Sequence, residues 1–439
     1  MTSRQLLVAS VILVVAVAAR SPSADAVTSL PTYGTLKTRQ YAGYADATAD
    51  GQNRLFYWFC ESDQGGDNHT IPILLWLNGG PGASSLTGLL IEKLGPLMMS
   101  ENGSLVDNPD RITTKHHLLV FDNPVGSGFS TTANKSYVHS EYAVRTQLVH
   151  ALKGFFKLHP EYKANPFWVT GESYAGHYVP NVAWEISVNA TDIPLQGVVI
   201  GNGMYNMKLQ YPTLNKIAFA NGLIDERVAA ELETRQKSCI DRIDADPAHA
   251  GDYCENVTVR WLYSVDGPAG ELFYYDIGLS DGSFFDTLTA RMAKYLNRQD
   301  VREALHTTTG QRWTQSDETG PVADALLSDW TVNSDAVVEK LLERKLKVRM
   351  YNGVRDVSSC NHMGNLAVIL QMSWAGKSAF TAAGYKAWPS PERVEGYLRT
   401  DNGPCEASSF CYATVLRTGH LVPTVVPEIY SELLGVLLA

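Results

Sequence analysis

Short apolar runs in this chain are separated by stretches whose apolar residues recur at three- and four-residue spacing. Ile73 to Leu77, Leu118 to Phe121, Phe167 to Thr170 and Leu195 to Ile200 are near-continuous runs. Runs of this length read as strands covered on both faces. Leu346 to Tyr351 and Cys411 to Leu416 read as two later strands. Tyr41 to Phe59 predicts two short strands turning at Asp50-Gly51. Between the runs, Ser140 to Leu158 places Tyr142, Val144, Leu148, Val149, Leu152, Phe155 and Phe156 on a helical spacing. Tyr178 to Val188 and Asn297 to His306 also read as helical. Strands alternating with helices predict an α/β chain with a mostly parallel sheet and helices on both faces. The rhythm breaks after Tyr205. Residues 205–296 carry two cysteines, many charges and scattered aromatics, and are expected to form a cap inserted over the sheet. Residues 27–204 and 297–439 would then be the two parts of one core.

The strand ends carry the chemistry. Phe167 to Thr170 runs into Gly171-Glu172-Ser173-Tyr174-Ala175-Gly176 and then a helical segment. Strand, tight turn with a central serine, and helix is the layout of a nucleophile elbow, with small residues required two places either side. Gly171 and Ala175 meet that need, in a G-x-S-x-A variant. A literal G-x-S-x-G occurs at Gly278-Leu279-Ser280-Asp281-Gly282, after the weakly strand-like Phe273 to Ile277. No oxyanion loop is tied to it, so Ser173 is the expected nucleophile. Ile73 to Leu77 ends in Asn78-Gly79-Gly80-Pro81-Gly82, whose main-chain N–H groups suit an oxyanion. A second Gly-rich loop, Asp122 to Ser130, lacks the G-K-[ST] of a phosphate loop. Later strands end at Asp356 and His420. The order Ser173, Asp356, His420 is that of the α/β-hydrolase fold. His420 would take the serine proton and Asp356 would hold its tautomer.

Composition narrows the setting. The 439 residues suffice for a large core, and the net charge of -10 argues against nucleic acid as a partner. Arg4, the apolar Leu6 to Ala19, and Ala24-Asp25-Ala26 read as a secretory leader over residues 1–26, leaving a mature chain from near Val27 with no membrane segment. Sequons stand at Asn68, Asn102, Asn134, Asn189 and Asn256. Six cysteines would meet an oxidising compartment, where Cys239 with Cys254 and Cys405 with Cys411 are candidates to bridge. Cys60 and Cys360 are harder to place. No metal-ligand spacing is present, and no cofactor is expected.

Trp76 to Ser85, Gly171 to Pro180, Tyr351 to Asp356 and Gly419 to Pro423 resemble the motifs of the serine carboxypeptidases. Asp122 to Ser130 and Asp300 to His306 match as well, so the resemblance runs in order along nearly the whole mature chain. The Asp122-Asn123-Pro124 form is similar to the vitellogenic-like subgroup. The resemblance implies a Ser173, Asp356, His420 triad and an oxyanion hole from the N–H groups of Gly80 and Tyr174. It also implies that Asn78, Gly79, Glu92 and Glu172 bind the C-terminal carboxylate of a peptide or protein substrate. Ala83 stands where many members have a bridging cysteine, and Thr418 replaces a common alanine.

Glu172 beside the nucleophile is an odd place for an acid in an esterase. Packed against Glu92, the two cannot easily both ionise, and the retained proton can be donated to a substrate carboxylate. This predicts a carboxypeptidase working through an acyl-enzyme at acidic pH, secreted or in a lysosome- or vacuole-like compartment. An acyltransferase using the same acyl-enzyme, and a non-catalytic protective or binding partner, are the competing classes. A homodimer is compatible with the sequence.

Overall fold

The computed structural model describes residues 24–66, 68–279, 281–307, 310–315 and 320–439. Arg4, Leu6 to Ala19 and Ser280 lie outside the described residues. An 11-stranded sheet runs through the molecule in the order β1-β2-β3-β7-β4-β8-β9-β10-β13-β12-β11. These are β1 Ala26–Leu30, β2 Gly34–Asp46, β3 Arg54–Cys60, β4 Ile73–Leu77, β7 His117–Phe121, β8 Phe167–Glu172, β9 Leu195–Gly201, β10 Lys347–Gly353, β11 Lys386–Pro389, β12 Val394–Thr400 and β13 Phe410–Val415. β5 Leu97–Met99 and β6 Leu105–Asp107 form a separate hairpin. From β7 to β13 every pairing is parallel. The outer strands pair antiparallel on both flanks, so the sheet is mixed at its edges.

The central strands are predominantly apolar because helices cover both faces. Helices α2 Glu141–Leu158 and α3 Ala175–Asn189 pack with Leu75, Val169 and Val198 on one face. Helix α1 Leu86–Leu90 and the C-terminal helix Pro427–Leu437 pack with Trp76, Trp168 and Val199 on the other. Ser140 caps α2 by accepting from the Ala143 N–H.

The chain between β9 and β10 is mainly helical, with Glu226–Ala245 and Ala250–Val257 joined by the Cys239–Cys254 disulfide. Phe273 to Ile277, expected to be weakly strand-like, forms turns instead. Its main-chain groups bond to the loops after β10 and β13 rather than to a neighbouring strand. Cys405 and Cys411 are also bridged, while Cys60 and Cys360 are buried outside any disulfide. Among the described residues no helix is long and apolar enough to cross a membrane.

Candidate active site

Parallel strands deliver their carboxyl ends to one edge of the sheet, where α/β proteins build their sites. Five spatially adjacent strands, β4, β8, β9, β10 and β13, bring Asn78-Gly80, Ser173, Asn202, Asp356 and His420 to that edge.

Ser173 has φ of 63°, the left-handed region that the elbow imposes on a non-glycine residue. The turn is held by Ser173 N–H to Gly201 O at 3.1 Å and Met204 N–H to Ser173 O at 2.9 Å. A Cβ on Gly171 would stand 2.4 Å from Leu77 O and 2.8 Å from the Ala175 Cβ, which is why both flanking residues are small. Gly79 runs directly against the elbow: a Cβ there would meet Tyr174 N at 2.4 Å and the Ser173 Cβ at 2.8 Å. Among the described residues, the N–H groups of Gly80 and Tyr174 make no backbone hydrogen bond. They are therefore available to an incoming oxyanion beside Ser173.

His420 Nδ1 lies 2.7 Å from Asp356 Oδ2. Asp356 is fully buried, and its carboxylate also accepts from Asn202 Nδ2 at 2.8 Å and from Ser358 N–H at 2.8 Å. Asn202 itself accepts from Gly353 N–H at 2.9 Å, tying β9 to β10 beneath the acid. The imidazole is held from above as well. His420 N–H donates to Tyr275 O at 2.6 Å, the two rings lie 4.7 Å apart, and Gly419 N–H donates to Asp276 Oδ2 at 2.8 Å. Val357 N–H donates to Tyr274 O, and Ile277 N–H to Arg355 O. The inserted chain thus grips both the loop bearing Asp356 and the loop bearing His420. Ser173 and His420 line one cavity without a hydrogen bond between them, a spacing that substrate-free hydrolytic sites commonly show. His177 stays outside this set. It is buried against the Tyr174 ring, and burial lowers its pKa to about 3.

The acids form a second cluster. Asn78 Nδ2 donates to Glu92 Oε1 at 2.7 Å and, more weakly, to Glu172 Oε1 at 3.5 Å. The amide is fixed from behind by Trp76 Nε1 at 2.9 Å and Gly88 N–H at 3.1 Å, both donating to Asn78 Oδ1. Burial pushes the Glu92 carboxyl up to about 7, against the opposing pull of its bonds to Asn78 and Glu172. Burial raises Glu172 well above the ordinary range, and the neighbouring Glu92 raises it further. Both shifts favour a proton retained between the two carboxyls. Glu92 lies two residues past α1 rather than on a helix, because Lys93 at φ 60° turns the chain away. Glu172 is the last residue of β8.

A cavity of about 430 Å³ joins these parts. Asn78, Gly79, Gly80, Glu92, Glu172, Ser173 and His420 form its floor, and Phe273, Tyr274, Tyr275 and Phe285 roof it. Arg260 and Asp286 bring opposite charges to its wall, and Arg260 is also tied to Asp252 at 3.1 Å. Sequence reasoning passed over Asn202, Asp276, Arg260 and Asp286. Asn202 left a signal, since the strand beside the elbow ends in Gly-Asn-Gly. The other three sit in the insertion, whose pattern has no register with the sheet.

The serine carboxypeptidase family model matches residues 31–438. "Pheromone-processing carboxypeptidase kex1" of Talaromyces marneffei is 30% identical over 410 residues, covering 88% of this chain and 63% of that protein. "Serine carboxypeptidase-like 48" of Arabidopsis thaliana is 32% identical over 410 residues, covering 90% of this chain and 77% of its own length. Among solved structures, a prohormone-processing carboxypeptidase of Saccharomyces cerevisiae superposes with a TM-score of 0.81 at 23% identity, covering 95% of this chain and 96% of that one. At that identity the superposition speaks for the fold.

Proposed function

Because this chain belongs to the serine carboxypeptidase family, we propose that it releases C-terminal residues from peptides with Ser173, Asp356 and His420 as its triad. The observation that carries this is one cavity holding a strained serine, an Asp-supported histidine and a proton-sharing acid pair. His420 Nε2 takes the Ser173 proton as Oγ attacks the scissile carbonyl, and the N–H groups of Gly80 and Tyr174 receive the oxyanion. The leaving amine takes the proton from His420, and water then repeats the sequence on the acyl-enzyme. Asn78 and the protonated member of Glu92 and Glu172 donate to the substrate's terminal carboxylate. Gly79 gives that end of the cavity its close floor. An acid pair that must keep a proton to do this supports work at acidic pH.

The two disulfides and the five sequon asparagines, all exposed, support passage through the secretory pathway and glycosylation. The leader boundary is better placed before Asp25 than after Ala26. Asp25 is buried, its carboxylate accepts from the Tyr57 hydroxyl at 2.6 Å, and its carbonyl accepts from Ala42 N–H. Residues 205–296 serve as the cap. The Talaromyces relative extends well beyond the part matched, so its pheromone substrate is not carried over.

The test is hydrolysis of blocked dipeptides by Ser173→Ala and, in parallel, Ser280→Ala, with and without an added alcohol or amine acceptor. Ser173→Ala is expected to abolish turnover while folding is retained, and Ser280→Ala to leave it near wild type. Retained activity in Ser173→Ala would overturn the assignment. Preferential transfer to the acceptor would move the protein to the acyltransferase class.

A further inference from the structure

A buried acid that the mechanism does not use lies one loop away from the oxyanion donors. Asp122 follows β7 and is fully buried. Its Oδ1 accepts from the Ser84 hydroxyl at 2.5 Å, and its Oδ2 accepts from Phe129 N–H at 2.8 Å. Its carbonyl accepts from the Ser130 hydroxyl at 2.5 Å, so the acid also fixes the 122–130 loop. That loop closes tightly over it: Gly128 has φ of 51°, and a Cβ there would fall 2.1 Å from Asp122 Oδ2. Ser84 is held from a third direction by Trp313 Nε1, which donates to its Oγ at 2.9 Å.

Ser84 lies four residues beyond Gly80. The segment between them has few other restraints, namely Ala83 N–H to Gly79 O at 3.1 Å and Gly82 N–H to the Tyr178 hydroxyl at 3.2 Å. Asn78 anchors the near end of the loop through Trp76, Ser85 and Gly88. The far end is anchored by Ser84 on Asp122. We propose that Asp122, acting through Ser84, is the positioning residue that holds the Gly79-Gly80 segment at oxyanion distance from Ser173. The proposal rests on the oxyanion assignment made above.

The chemistry of the anchor depends on an acid with two acceptor oxygens. As a carboxylate, Asp122 accepts the Ser84 proton. Asparagine offers one acceptor only. In Asp122→Asn an amide N–H must face either Phe129 N–H or the Ser84 hydroxyl, whose Oγ already receives Trp313. An error of about 1 Å in a catalytic donor can cost a hundredfold in rate. A donor that reaches the oxyanion better than the ground-state carbonyl is lost mainly from kcat.

The experiment compares wild type, Asp122→Asn, Ser84→Ala and the double variant. Three readouts are taken: kcat and KM on a blocked dipeptide, affinity for a peptide aldehyde that forms a tetrahedral adduct on Ser173, and affinity for the non-reacting product dipeptide. Each single variant is expected to lose about tenfold to a hundredfold in kcat. Aldehyde affinity should fall in parallel, while KM and product affinity stay within about twofold of wild type. The double variant should be little worse than either single one, because both break the same anchor. If Asp122→Asn does not fold, Ser84→Ala carries the test alone. Unchanged kcat in Ser84→Ala, or equal losses in aldehyde and product affinity, would overturn the proposal. Ser173→Ala separates the two claims: if it is inactive while Asp122→Asn and Ser84→Ala keep full kcat, the triad stands and this positioning role falls.

Discussion

Two buried carboxylate sites lie at the cavity, one lining it and one behind His420, and solve opposite problems. Asp356 is surrounded by donors: His420 Nδ1, Asn202 Nδ2 and Ser358 N–H all reach it within 2.8 Å. Glu92 and Glu172 have one amide between them and face each other. The same functional group is therefore given three donors in one place and a rival acid in the other. The first arrangement suits a group that must remain an acceptor through the cycle. The second suits a group that must keep a proton and hand it to a ligand. The identity of the side chain says little here; the count of donors around it says which task it can perform.

The largest effect should come from breaking the donor-rich side. Asp356→Asn keeps the shape but presents an amide to His420 Nδ1, which favours the wrong tautomer. A loss of about 10⁴-fold in kcat is expected, by analogy with other triads. Equivalent variants of Asp324 or Asp329 should be mild; the reverse ranking would move the third member elsewhere.

Asn202→Ala sharpens the same side. It removes one of the three donors and the link to Gly353, so Asp356 keeps its partner histidine but loses its fixed position. A loss of about tenfold to a hundredfold, mostly in kcat, is expected. An unchanged kcat would mean that His420 and Ser358 alone orient the acid.

On the acid-pair side the effect should be smaller and appear in KM. Burial raises both carboxyls, Glu92 to about 7, and the Glu92 charge raises Glu172 further. Above that point the pair becomes anionic against an anionic substrate end. KM for a blocked dipeptide should rise by up to about tenfold per pH unit, while its C-terminal amide or ester is nearly insensitive. Glu172→Gln donates at every pH and should flatten the rise. Equal pH profiles for charged and blocked substrates would remove the carboxylate-binding role.

Stability should show the faintest trace. A carboxyl whose pKa is raised in the folded state stabilises fully below its unfolded value. That contribution is lost as pH rises through the folded one. The Tm of wild type should therefore fall between about pH 5 and about pH 8, and Glu172→Gln should fall less steeply. A parallel slope in the variant would show that the decline arises elsewhere in the fold.

The central strands were legible because burial on both faces keeps them almost wholly apolar over four or five residues, so the runs 73–77 and 167–170 declare themselves. Their polar ends were not: β8 continues through Gly171 and Glu172, and β10 through Asn352 and Gly353. There a strand's last pairings are made by the same residues that serve the cavity. Ser173 could be singled out because an elbow restricts its neighbours locally, and Gly171 and Ala175 obey. Asn202 left only a weak trace, since an asparagine between glycines reads first as a turn former. Its task depends on β9 lying beside β10, which are far apart in sequence. Phe273 to Ile277 misled for a related reason. Its aromatics look like strand residues, but they are spent on a roof whose shape is set by the loops beneath.

That roof bears on how such a protein can change over generations. A segment placed between two strands of a core is usually a tradable part, free to be lengthened, swapped or lost while the scaffold endures. Here Tyr275 O and Asp276 Oδ2 hold the main chain of His420 and Gly419, and Tyr274 O holds Val357 beside the acid. Whatever reshapes the roof also shifts His420. Diversification of this region must therefore conserve a few main-chain handholds while its outer helices drift, so inheritance runs in one piece at the seam and loosely everywhere above it.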